Sequence, residues 1–299
     1  MKNKQLLLSL LMLVGFSVIS WAQTASGPHI DSNKPGMERT VFSPGLVSLD
    51  DRHEFGSVFS PDGSEFYWAY VEKGKNTIMG MRYENGSWTA PDTVLTDQYH
   101  GFNDPFLSND GNRLYYISNY RTEEDTVRSD IDIWYSERMA DGKSWSAPIN
   151  AGPNINSVKN EYYISFNQEG TMYFATNFYN ERSGNFDIYK SEYRNGKFQK
   201  AEKLGPAVNT GAYEADVFIA PDESYIIFAA GRRSNIGQGD LYISFKVNGE
   251  WTKSKNMGPA VNTEGHELCP YVTPDGKYLM YTSKQDIVWV DASIIDSLR

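Results

Sequence analysis

Four carboxylates recur at one position of a repeated pattern in this 299-residue chain. Glu54, Glu161, Glu214 and Glu267 each stand eight residues before an acidic turn residue (Asp62, Glu169, Asp222 and Asp275), and Phe102 holds the same place before Asp110. Asp104 and Asp216 follow two positions later in two of the five repeats. Carboxylates gathered around one axis repel each other, so each needs a cation, a water or hydrogen-bond donors, and their pKa values rise. Three kinds of chemistry fit. Two carboxyls roughly 5–10 Å apart, one protonated and one ionised, would suit glycoside hydrolysis, with Glu161 and either Glu267 or Glu54 as the pair. A ring neutralised by a ligand would be a binding site. A ring neutralised by backbone N–H groups or by an arginine of the next blade would be a set of clips between repeats, and recurrence in four repeats favours this reading, because a catalytic group need not recur.

His53 precedes Glu54 and His266 precedes Glu267. Such nitrogen and oxygen ligands would suit a divalent transition metal, the one cofactor these residues suggest. However, neighbours in a strand point to opposite faces, so surface histidines are the simpler expectation. The chain has no G-x-S-x-G, H-E-x-x-H or P-loop pattern, and its one cysteine, Cys269, has no dedicated base in sequence.

These residues must be positioned by short strands. Aromatic residues make up 14% of the chain and Gly numbers 25, a mixture that favours strands and tight turns. Five segments share a strand–turn–strand pattern: Val58 to Trp68, Phe106 to Tyr116, Ile164 to Phe174, Phe218 to Phe228 and Val272 to Tyr281. Their turn acids are 48, 59, 53 and 53 residues apart. A third strand follows, as in Asp132-Ile133-Trp134-Tyr135 and Asp240-Leu241-Tyr242-Ile243. Then comes a hairpin signal, Asn85-Gly86, Asp141-Gly142, Asn195-Gly196 or Asn248-Gly249, whose residues tolerate positive φ. A fourth strand is expected to open at Trp88, Trp145, Phe198 and Trp251.

Four antiparallel strands per ~50 residues describe a propeller blade. The fifth repeat lacks its fourth strand, whereas Val41-Phe42-Ser43-Pro44 precedes the first and reads like Trp88-Thr89-Ala90-Pro91. The expectation is an all-β fold, a single five-bladed β-propeller over residues 41–299 closed by its N-terminal strand, with a six-bladed ring as the alternative.

The Ser-Pro-Asp-Gly turn, the Asp-Ile-Tyr strand and the connector Leu204-Gly205-Pro206-Ala207-Val208-Asn209-Thr210, echoed at Met257 to Thr263, resemble the WD40-like (TolB-type) propeller repeat of exported bacterial envelope proteins. The resemblance spans residues 41 to 295 and implies a propeller, but propellers host binders and enzymes alike.

The N-terminus points to export. Lys2 and Lys4 precede an apolar run from Leu6 to Ile19, and Ser20 and Ala22 suit signal peptidase. Residues 1–22 are expected to be a cleaved signal peptide and residues 23–40 a flexible lead-in, giving a periplasmic or secreted monomer with no membrane span after cleavage. A net charge of −10 argues against nucleic acid.

The loops between second and third strands open on the same face as the carboxylate ring. They carry Arg121, Arg182, Arg232 and Arg233 among aromatic residues, a rim suited to a sugar or peptide. The functional expectation is a non-enzymatic propeller binding an envelope protein or glycan through this long-loop face. The alternative is a glycosidase-like enzyme using the channel-mouth carboxylates Glu54, Asp104, Glu161, Glu214, Asp216 and Glu267.

Overall fold

The repeated turn is built by its own side chains. Asp62 Oδ1 accepts hydrogen bonds from Ser60 Oγ (2.6 Å) and the Ser64 N–H (3.0 Å), while Gly63 takes φ +72°, which reverses the chain. Asp110 with Ser108, and Asp275 with Thr273, repeat the device. Each turn joins two strands that are largely buried on both faces.

The computed structural model describes residues 30, 33–121, 130–178 and 185–299. It contains five small antiparallel sheets whose innermost strands contact one another in a ring, a five-bladed β-propeller. The leader segment 1–22 lies outside the described residues. From the axis outward, blade 1 comprises His53–Phe59, Glu65–Glu72, Lys75–Glu84 and Asp92–Leu95. Blade 2 comprises Phe102–Leu107, Arg113–Ser118, Asp132–Glu137 and Ile149–Asn150, and blade 3 comprises Glu161–Phe166, Met172–Thr176, Asp187–Ser191 and Glu202–Lys203. Blade 4 comprises Tyr213–Ile219, Tyr225–Gly231, Asp240–Val247 and Lys255–Asn256. Blade 5 uses Glu267–Val272, Tyr278–Ser283 and Asp286–Asp291, and its outer strand is Thr40–Val41 from the other end of the chain.

That closure places Thr40 opposite Trp289 and Val41 opposite Val288. Phe42 then packs edge-on against Trp289 (5.0 Å between centroids) and at a tilt against Phe66 of blade 1 (5.3 Å). The N-terminal strand therefore seals blade 5 to blade 1 with a fully buried ring, and no open sheet edge remains at the seam.

The outer strands correct one expectation. Trp88 and Trp251 pair only with the far ends of the third strands, Phe198 pairs with Tyr193 in a separate two-stranded ribbon, and Trp145 makes a single bridge to Arg138. The blade's fourth strand begins about four residues later. In blades 1 and 2 the break falls at Pro91 and Pro148, which lack an N–H for the ladder.

The connector motif also has a physical role. Asn156, Asn209 and Asn262 each present their amide to the third strand of the preceding blade. Asn262 Oδ1 accepts from the Leu241 N–H (2.8 Å) and its Nδ2 donates to the Leu241 carbonyl (3.0 Å). Asn156 holds Ile133 and Asn209 holds Ile188 in the same way. These buried pairs replace a missing ladder partner, each bond contributing about 1 kcal/mol.

Candidate functional site

The four ring glutamates are fully buried, and each is engaged by its own surroundings. Glu267 accepts from the Thr263 N–H (3.0 Å), Thr263 Oγ1 (2.7 Å) and Ser283 Oγ (2.8 Å). Glu161 accepts from the Ser157 N–H and Oγ and from Thr176 Oγ1 (2.8 Å). Glu214 accepts from Thr210 and from Arg232 (3.0 Å). Glu54 takes Arg52 Nε (3.1 Å) and, at 3.5 Å, the Leu49 N–H. The ring thus clamps the connector that leads into each inner strand. Burial pushes the carboxyls of Glu54 and Glu161 up to about 7, against the pull of Arg52 in the first and of Ser157 and Thr176 in the second. In sequence, the signal for this role is the Ser or Thr four residues before Glu161, Glu214 and Glu267.

Two positions further along, all five inner strands bulge. The residues there, Gly56, Asp104, Tyr163, Asp216 and Cys269, have φ between +48° and +55°, and the pairing register shifts at each. Such a bulge re-aims a side chain, and here it brings Asp104, Asp216 and Cys269 from three blades into one buried cluster. Gly56 makes room: a Cβ there would lie 2.7 Å from Asp104 Oδ1. Cys269 Sγ donates to Asp104 Oδ1 at 3.5 Å. Burial, reinforced by the Asp216 charge, pushes the Asp104 carboxyl up to about 8, and burial raises Asp216 to about 6. Burial also raises the Cys269 thiol well above its ordinary range, so it is no nucleophile at neutral pH.

The histidine pair does not assemble with the glutamates. His53 and His266 are exposed while Glu54 and Glu267 are buried, as strand alternation dictates. No group of three His, Cys, Asp or Glu side chains able to hold a metal ion occurs among the described residues. Of the basic rim, Arg121 is bound to Asp130 (2.8 Å) and to the Tyr120 carbonyl. Arg232 is stacked on Tyr242 (4.4 Å) while holding Glu214, Arg233 is exposed, and Arg182 lies outside the described residues.

Blade 2 departs from the ring in a coordinated way. The blade-4 clip is Glu214–Arg232–Tyr242. At the matching positions blade 2 has Phe102, Tyr120 and Trp134. Tyr120 packs on Phe102 (6.3 Å between centroids) and on Trp134 (5.2 Å), so an aromatic clip replaces an ionic one. Tyr120 also meets His100 (5.1 Å), and His100 meets Tyr99 (6.3 Å), whose ring is 75% exposed.

This aromatic chain joins two cavities on the long-loop face. One, of about 530 Å³ between blades 1 and 2, is lined by Lys73, Lys75, Asn76, Tyr99, His100 and Asn119 among others. The other, of about 480 Å³ between blades 2 and 3, is lined by Arg121, Asp132, Trp134, Asn150 and Phe178 among others. The loop rim and Phe102 stand out in sequence, whereas His100 follows no pattern and Tyr99 carries no signal, because both sit in a connector outside the repeat.

No protein-family model matches the chain, and no curated protein matches it by sequence. Solved structures share the fold. A thermostable family-43 glycoside hydrolase aligns with a TM-score of 0.54 at 13% identity, covering 82% of this chain and 90% of that one. A protein of unknown function from Dyadobacter fermentans aligns at 0.52 and 15% identity, covering 87% and 83%. TolB from Acinetobacter baumannii aligns at 0.50 and 13% identity, covering 79% of this chain and 53% of TolB. The chain therefore spans about half the length of that TolB. At these identities the likeness establishes the propeller fold, which binding proteins and enzymes share.

Proposed function

We propose that the chain is an exported, non-catalytic recognition propeller that binds a partner of the bacterial cell envelope, a glycan in preference to a protein, on its long-loop face. On this reading residues 1–22 are a cleaved leader and the mature monomer acts in the periplasm or outside the cell. The observation that carries the reading is the aromatic chain Tyr99–His100–Tyr120–Trp134, which runs between the two cavities flanking blade 2. Cavities of this size suit small ligands. Their walls mix rings with amide, hydroxyl and charged groups, which suits a polyhydroxylated molecule with one apolar face.

The glycosidase alternative draws less support. Its pair, Glu161 with Glu267 or Glu54, consists of fully buried carboxylates saturated by donors from their own connectors. A general acid must reach its substrate within hydrogen-bond distance.

A thermal-unfolding screen of the mature chain against muropeptides and oligosaccharides tests the proposal. A ligand at a hundred times its Kd adds about 2.7 kcal/mol, a visible shift. The shift is expected to vanish in Tyr99→Ala, whose exposed ring contributes little to stability. A shift that survives Tyr99→Ala, or product release from an oligosaccharide, would defeat the reading.

A further inference from the structure

The opposite, turn-side face carries a second feature. There the channel is stoppered by Phe106, Phe218 and Tyr271, with centroids 6.0 and 5.8 Å apart. The Tyr271 hydroxyl bridges the Phe59 backbone, accepting from its N–H and donating to its carbonyl (3.3 Å each). Above this floor lies an apolar depression of about 280 Å³, edged by Pro61, Pro221 and Pro274. It shares Asn109 and Phe166 with a groove of about 550 Å³ that runs outward between blades 2 and 3 past Phe198 and Tyr193.

The turns around this depression are acidic, and the two arginines that line the adjoining groove, Arg113 and Arg138, are paired with Glu137 and Glu65. The five turn acids Asp62, Asp110, Glu169, Asp222 and Asp275 belong to the five inner hairpins and so encircle the axis. Partial burial opposes ionisation of Asp62, Asp110 and Asp222, but hydrogen bonds from neighbouring serines and backbone N–H groups outweigh it and hold them below the usual carboxylate range. Among the described residues only Asp275 of the five makes a salt bridge, with Lys277 (3.1 Å). An apolar centre inside a crown of acidic turn residues is complementary to a large apolar side chain flanked by basic residues.

We propose that the turn-side face docks an extended, basic segment of a partner polypeptide, with one large apolar side chain seated in the central depression and the chain continuing along the groove between blades 2 and 3. This site lies on the face opposite the one assigned to the glycan and goes beyond that reading. An extended backbone with its anchor in a pocket is an established mode of peptide capture.

The test uses the mature chain and three fluorescent heptapeptides read by anisotropy. The first has a central leucine between two runs of three lysines. The second replaces lysine with glutamate, and the third replaces leucine with alanine. The first is expected to bind, and to weaken several-fold as salt rises from about 50 to about 300 mM. The other two should bind at least tenfold more weakly. Pro221→Lys with Pro274→Lys, both exposed rim positions, should weaken the first peptide at least tenfold, and Tyr99→Ala should leave it unchanged. Hydrogen-exchange protection by the first peptide should centre on residues 106–110 and 218–222, which reads the site even if the rim variant folds poorly. Failure of the first peptide to bind, equal binding of the alanine peptide, or protection confined to the long-loop face would overturn the proposal. Loss of glycan binding in Tyr99→Ala with peptide binding intact would leave both assignments standing, and each fails by its own variant.

Discussion

Glu267→Ala is expected to cost the fold about 3–5 kcal/mol, among the largest effects of any single substitution in the chain. The carboxylate is fully buried and accepts three hydrogen bonds, from the Thr263 N–H, Thr263 Oγ1 and Ser283 Oγ. Truncation leaves all three donors without their acceptor in a dry site and opens a void beside them. Thr263 follows Asn262, which clamps Leu241 of blade 4, so the loss is transmitted to the seam between blades 4 and 5. Glu267→Gln keeps an acceptor oxygen and is expected to recover part of the loss. Urea unfolding of both variants checks this. A Glu267→Ala chain as stable as the parent would mean the ring is not a structural clamp.

Asp104→Asn is expected to act in the other direction. Its carboxyl is held at about 8 by burial and by the Asp216 charge, far above the ordinary range near 3.8. A group whose folded pKa is raised contributes stability that is complete below the unfolded pKa and is lost as pH climbs through the folded one. The parent should therefore lose stability between about pH 4 and about pH 8, with Asp216, raised to about 6, acting in the lower part of that window. Asparagine cannot ionise, so the variant should match the parent near pH 4 and exceed it at pH 9 by on the order of a few kcal/mol. Chemical unfolding at both pH values measures the difference. Equal stability at pH 9 would contradict the buried-acid assignment. A buried acid that lowers stability at neutral pH marks a place where stability has not been optimised.

The repeat, the five blades and the closing strand were legible in sequence because each rests on local chemistry. The Ser-Pro-Asp-Gly turn and the Asn-Gly hairpin dictate reversals, and Val41-Phe42-Ser43-Pro44 carries the register of the missing strand. The position of the fourth strand was less legible, because Trp88 and Trp251 look like strand openers whether they pair with a ribbon or with a blade. The recurrence of Glu54, Glu161, Glu214 and Glu267 was plain, and so was the preference for a clip. The partner differs from the expected arginine of the next blade: it is the connector four residues upstream in three of the four blades, with Arg52 beside Glu54 and Arg232 of the same blade on Glu214, because those are the donors the chain itself brings to each buried carboxylate.

The bulge that gathers Asp104, Asp216 and Cys269 has no sequence signature, because glycine, aspartate, tyrosine and cysteine all occupy it. Nor does one repeat alone announce the aromatic clip of blade 2. Phe102 stands out against four glutamates, but the matching change of Arg232 to Tyr120 appears only when strand pairing fixes the register. Cavities between blades depend on connectors of unequal length, which is why Tyr99 carries no sequence signal and His100 follows no pattern.

On the proposed reading, blade 2 has exchanged a structural clip for a recognition surface. The most direct test of that exchange is the double variant Phe102→Glu with Tyr120→Arg, which writes the blade-4 clip into blade 2. Isothermal titration with whichever muropeptide or oligosaccharide gives the largest thermal shift then compares the two proteins. A folded variant with a melting temperature within a few degrees of the parent and an affinity at least tenfold weaker is expected. Unchanged affinity in the folded variant, or no binding by the parent to any member of the set, would contradict the proposed reading.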